Sequence, residues 1–150
     1  MAHTFTCLNI HFVFSTKDRE NLIEKEMLSR LHAYLGGIAK EMKLVPLAIG
    51  GTSNHVHLLL SITPVISPSK CMQTLKTNSS KWIHEEFPSR SGFAWQAGYS
   101  GFSVSPGNIQ KVRKYIENQE EHHRVNTFEE EYLMFIKESG IEFEEKYIWG

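Results

Sequence analysis

The first hydrophobic pattern of the chain predicts a β-strand over residues 5–15. Apolar side chains occupy every second position from Leu8 to Phe14, and the polar residues Asn9 and His11 lie between them. Alternate residues of a strand point to opposite faces of a sheet. We therefore expect this strand to have one apolar face and one polar face.

The next patterns predict a helix and a β-hairpin. Apolar residues recur at three- and four-residue steps over residues 23–43, which is typical of an amphipathic helix. Residues 44–50 and 55–62 are apolar runs of strand length, and the segment between them favours a turn. Pro46 cannot donate a ladder hydrogen bond, so it favours a short or edge strand.

A second helix begins at Ser67 and Pro68, a pair that suits the N-cap and the first position of a helix. The remaining patterns predict a strand over residues 93–104 and helices over about residues 108–123 and 128–138. This order of elements favours an α+β fold, a ferredoxin-like or RRM-like split βαβ arrangement. We expect a single domain over residues 1–150, with an antiparallel sheet and helices packed on one of its faces.

The composition is that of an ordinary globular protein, with 41% hydrophobic and 22% charged residues. No stretch approaches the roughly 18 apolar residues that a membrane span needs, and the first residues lack the pattern of a secretory signal. Cys7 and Cys71 are not spaced as a redox or metal motif, so we interpret them as reduced thiols. These features predict a cytoplasmic protein that does not enter a membrane.

Charge is unevenly distributed along the chain. Residues 1–116 carry a net charge of +6, and residues 117–150 carry −7, which gives the overall −1. A basic body could bind a polyanion on one face, but a solvated acidic helix after an ordinary domain gives the same pattern.

Two histidines could bind a metal ion. His55 and His57 are two positions apart on a predicted strand, so both imidazoles point to the same face of the sheet. Such a pair can hold a divalent metal. A simple hydrogen-bonded pair of histidines is the alternative interpretation.

A tyrosine and a glutamine share one face of a predicted helix. Tyr115 and Gln119 are four residues apart, and residues at this spacing lie one above the other on a helix. The amide oxygen of Gln119 suits Mg²⁺ or Mn²⁺, and a tyrosine one turn away could be a nucleophile. The alternative is that Tyr115 packs its ring against the sheet and Gln119 is solvated.

Taken together, these motifs resemble one protein family. The run over residues 55–60, the segment 93–104 and the helix with Tyr115 and Gln119 resemble the single-tyrosine HUH transposases of the insertion-sequence 200/605 type. In these proteins two histidines flank a bulky hydrophobic residue, here Val56. The resemblance covers nearly the whole chain and places the tyrosine on a C-terminal helix.

The resemblance implies a transposase that cleaves and rejoins single-stranded DNA with a metal ion. It implies that His55, His57 and Gln119 hold one Mg²⁺ or Mn²⁺. It also implies that Tyr115 attacks the scissile phosphate and forms a 5′-phosphotyrosine intermediate. Family members often have an aspartate before the first histidine, and the chain has the neutral Asn54 there instead.

The implied partners are DNA and a second copy of the chain. In this family the substrate has hairpin ends, and the protein is typically a homodimer. Basic side chains bind phosphates without reading sequence. The candidate phosphate-binding residues are Lys17, Arg19, Lys76, Lys81, Arg113 and Lys114.

Several alternatives remain at this point. A domesticated REP-associated tyrosine transposase would perform the same chemistry on chromosomal repeats, and a non-catalytic module would only bind single-stranded nucleic acid. His122 and His123 follow Tyr115 by two helical turns and could supply a base or a further ligand. His11 could contact the metal ligands or DNA from the neighbouring strand, and a hydrogen-bonded surface histidine is the alternative interpretation.

Overall fold

The computed structural model describes residues 3–123 and 126–149, without the side chains of residues 122, 145 and 146. Its centre is a four-stranded sheet in which every neighbouring pair is antiparallel, in the order β2-β3-β1-β4. The strands are β1 (Leu8–Ser15), β2 (Val45–Thr52), β3 (His55–Ile62) and β4 (Ser100–Ser103). This topology confirms the predicted split βαβ fold. It also places β2, which contains Pro46, at an edge of the sheet.

Six α-helices accompany the sheet in the described part of the chain. The second begins as predicted, because the hydroxyl of Ser67 accepts a hydrogen bond from the backbone N–H of Lys70 at 3.1 Å and Pro68 follows the cap. The helices are α1 (Lys25–Glu41), α2 (Pro68–Glu86), α3 (Ile109–Glu117), α4 (Gln119–His122), α5 (Phe128–Glu138) and α6 (Glu145–Ile148).

The apolar face of the sheet forms the main core. Phe12 and Phe14 of β1 and Leu58 of β3 are all fully buried. They pack in one cluster with side chains of α1 and α2, such as Leu31 and Leu75. The alternation predicted for the first strand is therefore observed, and α1 and α2 cover this face.

The opposite face is also covered, by α3 and α5. Val13 of β1 packs against Phe128 and Tyr132 of α5, and Leu59 of β3 packs against Ile116 of α3. Helices therefore lie on both faces of the sheet and not, as predicted, on one face only, because α3 and α5 also carry apolar side chains that pack on it. The polar side chains of β1 and β3 are enclosed between the sheet and the second pair of helices.

Two predicted elements are shorter in the structure. Of the strand predicted over residues 93–104, β4 forms only at Ser100–Ser103, with an isolated bridge between Trp95 and Thr16. The carbonyls of Gln96 and Gly98 instead accept hydrogen bonds from Lys76 Nζ at 2.6 and 2.8 Å. This segment is thereby held to α2, while the backbone N–H of Gln96 donates a hydrogen bond to the carbonyl of Ser15, the last residue of β1, at 2.9 Å.

The helix predicted over residues 108–123 is interrupted. It divides at Asn118, whose φ of −105° and ψ of 30° lie outside the helical range, into α3 and α4. Tyr115 therefore lies on α3 and Gln119 begins α4. Tyr115 is not on the last helix, because α5 and α6 follow.

No helix among the described residues is both long enough and apolar enough to cross a membrane. Both thiols are free, with Cys7 exposed and Cys71 buried. Burial raises the pKa of the Cys71 thiol, which disfavours the reactive thiolate at this position.

The position of α3 depends on a glycine in β2. A Cβ atom at Gly50 would lie 2.1 Å from the carbonyl oxygen of Ile116, so only glycine lets this helix approach the sheet so closely. Ile116 directly follows Tyr115. The absence of a side chain at Gly50 thus sets the height of the tyrosine above the sheet.

We expect Gly50→Ala to lower the free energy of unfolding by about 1–3 kcal/mol, because the added methyl group forces α3 away from β2. Gly37→Ala is the matched control. Gly37 lies within α1 with open space around it, and alanine there should be neutral or stabilise by about 0.5–1 kcal/mol. Urea unfolding of both variants measures the difference, and equal stabilities would contradict this account of the helix position.

Candidate metal and nucleophile site

The two histidines of β3 lie side by side on the enclosed face of the sheet. His55 and His57 are both fully buried, and their ring centroids are 5.1 Å apart. Val56 and Leu58 point to the main core on the opposite face. The strand therefore presents both imidazoles to α3, α4 and α5.

Each imidazole is oriented through its Nδ1 atom. His55 Nδ1 lies 2.9 Å from Asn54 Oδ1 and 3.2 Å from Thr52 Oγ1. His57 Nδ1 shares a hydrogen bond of 2.8 Å with His11 Nε2 on β1. A partner at one ring nitrogen fixes the direction of the other, as in many metal-binding histidines. The Nε2 atoms of both rings face the same enclosed volume.

Gln119 reaches this volume from the start of α4. Its side chain is almost completely buried, and its Oε1 lies 2.9 Å from His55 Nε2. Its Nε2 donates a hydrogen bond to the backbone carbonyl of Tyr115 at 3.1 Å. The structure thus brings the amide oxygen next to the paired imidazoles.

Glu131 of α5 is a site residue that the sequence analysis missed. Its side chain is 7% exposed, and its Oε1 lies 2.7 Å from His57 Nε2, while Oε2 lies 2.9 Å from His123 Nε2. Glu131 belongs to an acidic run that resembles a solvated helix start. Its spacing from Phe128 and Phe135, however, places it within the apolar stripe of α5, and that signal could have identified it.

Tyr115 lies close to His57 and His11 of its own chain. Its ring centroid is 5.7 Å from that of His57 and 6.5 Å from that of His11. The Tyr115 hydroxyl is hydrogen-bonded to the carboxylate of Glu131. The phenol therefore reaches the polar cluster on the enclosed face of the sheet.

Burial controls the protonation of the cluster. It lowers the pKa of His55 to about 3, with a further contribution from His57, and it also lowers the pKa of His11. Burial alone raises the pKa of Glu131, but its contacts with His123 and His57 hold that pKa well below the usual range. At neutral pH the cluster therefore combines the neutral imidazoles of His55 and His11 with the carboxylate of Glu131, and the neutral imidazole is the form that binds metals.

The pKa of Tyr115 changes in the opposite direction. Burial raises it first, and the hydrogen bond and charge of Glu131 raise it further, while the contact with Gln119 opposes them. The phenol is therefore protonated in this arrangement. A reaction at its oxygen must include the removal of that proton.

The donor atoms suit a divalent metal ion. One ligand atom each from His55, His57 and Glu131 lies within 4.8 Å of the others. An octahedral ion with bonds of about 2.1 Å places neighbouring ligands about 3.0 Å apart and opposite ligands about 4.2 Å apart. His57 Nε2 and Glu131 Oε1 are buried and have no hydrogen bond of acceptable geometry among the described residues, as expected for atoms that share a cation.

The rings of α5 cover the site. Phe128 stacks on His55 with centroids 4.3 Å apart, and Phe135 lies 5.1 Å from His11 and 5.3 Å from Tyr115. A cavity of about 510 Å³ opens beside Tyr115, and Lys111 is among its lining residues. The site is therefore enclosed on one side and accessible next to the phenol.

The sequence analysis also considered His122 and His123, which lie at the end of α4. His123 Nε2 lies 3.1 Å from Gln119 Oε1, in addition to its contact with Glu131. It is thus part of the cluster. The side chain of His122 lies outside the described part of the chain.

The candidate phosphate-binding residues do not form one patch. Arg19 Nε lies 3.0 Å from Glu129 Oε1, and Lys76 Nζ donates hydrogen bonds to two backbone carbonyls. Lys81, like Lys76, lies on α2, on the face of the sheet opposite the histidines. On the side of the candidate site, Arg113 and Lys114 lie on α3, the helix of Tyr115, and Arg19 contacts α5 through Glu129.

The family model described as "Transposase IS200 like" matches residues 4–119. The chain therefore belongs to the IS200-like transposase family, as the motifs predicted. His55, His57, Tyr115 and Gln119 all lie within the matched range, which ends at Gln119. Helix α5, with Glu131, follows the matched range.

Individual relatives agree with this assignment. The chain is 28% identical to the ISDra2 transposase TnpA of Deinococcus radiodurans over 117 residues, which cover 75% of this chain and 84% of the relative. It is 29% identical to the transposase for insertion sequence element IS200 of Salmonella typhimurium over 124 residues, covering 79% and 81%.

Solved structures show the same fold. A crystal structure described as a transposase from Deinococcus radiodurans R1 has a TM-score of 0.66 and 27% identity, covering 79% of this chain and 95% of that one. A REP-associated tyrosine transposase bound to a REP hairpin has a TM-score of 0.56 over 79% and 72% of the two chains. At 11% identity the second likeness concerns the fold alone.

We expect Phe128→Ala to release α5 from the sheet, because the ring is 3% exposed and contacts His55, Tyr132 and Trp149. The loss of such a buried ring costs about 3–5 kcal/mol. Urea unfolding gives the stability, and hydrogen exchange over residues 128–138 reports the docking of the helix. Met134→Ala is the control on the same helix, since Met134 is 51% exposed and should change stability by less than about 0.5 kcal/mol. Equal effects of the two substitutions would refute the proposed docking.

Proposed function

We propose that this transposase cleaves and rejoins single-stranded DNA with a divalent metal ion, through a 5′-phosphotyrosine intermediate. The most direct support is that Tyr115 lies next to the two histidines of β3. The ring centroids of Tyr115 and His57 are 5.7 Å apart. Membership of the IS200-like transposase family supports the same chemistry.

In the proposed reaction the oxygen of Tyr115 attacks the scissile phosphorus. The bond to the 3′ oxygen of the upstream strand breaks, and the downstream strand remains attached to tyrosine through its 5′ phosphate. The phenol loses a proton and the departing 3′ oxygen gains one. Because a phosphodiester is exchanged for another, attack by a new 3′ hydroxyl restores the DNA without ATP.

His55, His57 and Gln119 would hold the Mg²⁺ or Mn²⁺ ion. When bound, the ion supplies Lewis-acid polarisation of the phosphate and stabilises the charge that develops there. His11 and Asn54 orient the two imidazoles through their Nδ1 atoms. Gln119 also ties the ligand set to the tyrosine backbone.

The cavity beside Tyr115 is the proposed entrance for the substrate. Its volume of about 510 Å³ is in the range of pockets that enclose ligands of nucleotide size. Lys111 lines the cavity and could pair with a phosphate. A substrate with hairpin ends and a homodimer of the protein both remain predictions.

The substitution Tyr115→Phe should abolish the covalent protein–DNA adduct while the protein stays folded, because it removes only the attacking oxygen. The assay uses single-stranded oligonucleotides that contain candidate hairpins, labelled at the 3′ end, since the downstream fragment carries the adduct. The adduct is then detected as a labelled protein band that requires Mg²⁺ or Mn²⁺ and disappears with EDTA.

Tyr34→Phe is the matched control. Tyr34 lies on α1, where it stacks on Trp82 with centroids 4.6 Å apart, on the other side of the sheet. This variant should form the adduct at the normal rate. If Tyr115→Phe still formed an adduct, another residue would be the nucleophile. If the unaltered protein bound the oligonucleotides without cleaving any of them, a binding module would replace the proposed enzyme.

A further inference from the structure

Glu131 lies beyond the last residue matched to the transposase family, yet its carboxylate lies among the candidate metal ligands. We propose that Glu131 is an anionic ligand of this metal site, so that the metal ion fastens α5 to the sheet. The inference rests on the proposed function, because it concerns the same metal. It adds a ligand and a structural coupling that the family match does not contain.

The charge of the remaining donors supports this assignment. The imidazoles bind metals in their neutral form, and Gln119 carries no charge. Asn54, which precedes the first histidine and contacts its ring, is also uncharged. Mg²⁺ and Mn²⁺ favour carboxylate oxygens. Among the described residues at this cluster, Glu131 is the one that supplies a negative charge.

The positions of the atoms support it as well. Glu131 Oε1 lies 2.7 Å from His57 Nε2, and Gln119 Oε1 lies 2.9 Å from His55 Nε2. Both separations are close to the edge of about 3.0 Å that joins neighbouring ligands of an octahedral ion. The first pair is buried without acceptable hydrogen-bond geometry among the described residues. A cation between these two atoms would satisfy both.

Helix α5 is held so that Glu131 must face the site. Thr127 caps its first turn, Phe128 stacks on His55, and the hydroxyl of Tyr132 is hydrogen-bonded to Ser100 of β4. Beyond α5, the ring of Trp149 lies 4.4 Å from the guanidinium of Arg19. These contacts hold the helix against the sheet, with the carboxylate of Glu131 in the cluster.

A reciprocal coupling follows from this attachment. If docking of α5 supplies a ligand, the docked state binds the metal more tightly than the undocked state. By thermodynamic linkage the metal must then favour docking by the same factor. Metal binding and the order of residues 128–138 should change together.

The test compares Mn²⁺ binding to the full-length chain and its Glu131→Gln variant by isothermal titration calorimetry after removal of metal with EDTA. We expect Glu131→Gln, which keeps the shape and removes the charge, to weaken Mn²⁺ binding at least about tenfold. Glu130→Gln is the matched control, because Glu130 is exposed on the same helix and should bind within about twofold of the unaltered protein. Circular dichroism in EDTA verifies that all three proteins are folded.

Hydrogen exchange provides a second readout that needs no variant. In the unaltered protein, Mn²⁺ should slow exchange over residues 128–138, and it should not do so in Glu131→Gln. Equal Mn²⁺ affinity in the two proteins, or exchange in α5 that Mn²⁺ leaves unchanged, would overturn the inference while leaving the proposed metal site intact. If the unaltered protein bound no Mn²⁺, the proposed metal site itself would fail, and this inference with it.

Discussion

The contact between His57 and Glu131 on the enclosed face of the sheet is the interaction on which the rest of the site depends. A charged group is costly to bury unless other polar groups compensate it. The structure provides that compensation from elements far apart in the chain: His11 supports His57 from β1, and His123 contacts the other carboxylate oxygen. The polar face of β3 therefore requires α4 and α5 to complete it, and these helices in turn bring their own donor atoms to one point.

The same constraint explains why both faces of the sheet are covered. On one face, α1 and α2 bury an apolar core that stabilises the fold. On the other face, α3 and α5 enclose a layer in which apolar contacts surround the polar cluster. Gly50 allows α3 to approach closely, and the break at Asn118 lets Gln119 begin a new helix next to His55. Local backbone features thus set the geometry of the site.

Much of this arrangement could be predicted from local periodicity. The period of two in β3 was sufficient to place His55 and His57 on one face, and the spacing of four related Tyr115 to Gln119. The break between those two residues at Asn118 was missed, although asparagine is a residue type that commonly ends a helix. Glu131 was also missed, because an acidic run at a helix start usually faces solvent, although its spacing from Phe128 and Phe135 places it on the apolar stripe of α5. The segment before β4 does not continue the strand, and its carbonyls accept hydrogen bonds from Lys76, a partner twenty residues before Gln96 that no local pattern indicates.

In the proposed site, one divalent ion connects the two histidines of β3 to side chains from both α4 and α5. The most direct measurement is a crystal structure of the full-length protein grown with MnCl₂, with anomalous diffraction recorded above the manganese absorption edge. The account predicts a single strong anomalous peak bounded by His55, His57, Gln119 and Glu131, with α5 docked over it. A peak elsewhere on the protein, or an ordered cluster without a peak at a saturating concentration of Mn²⁺, would contradict it.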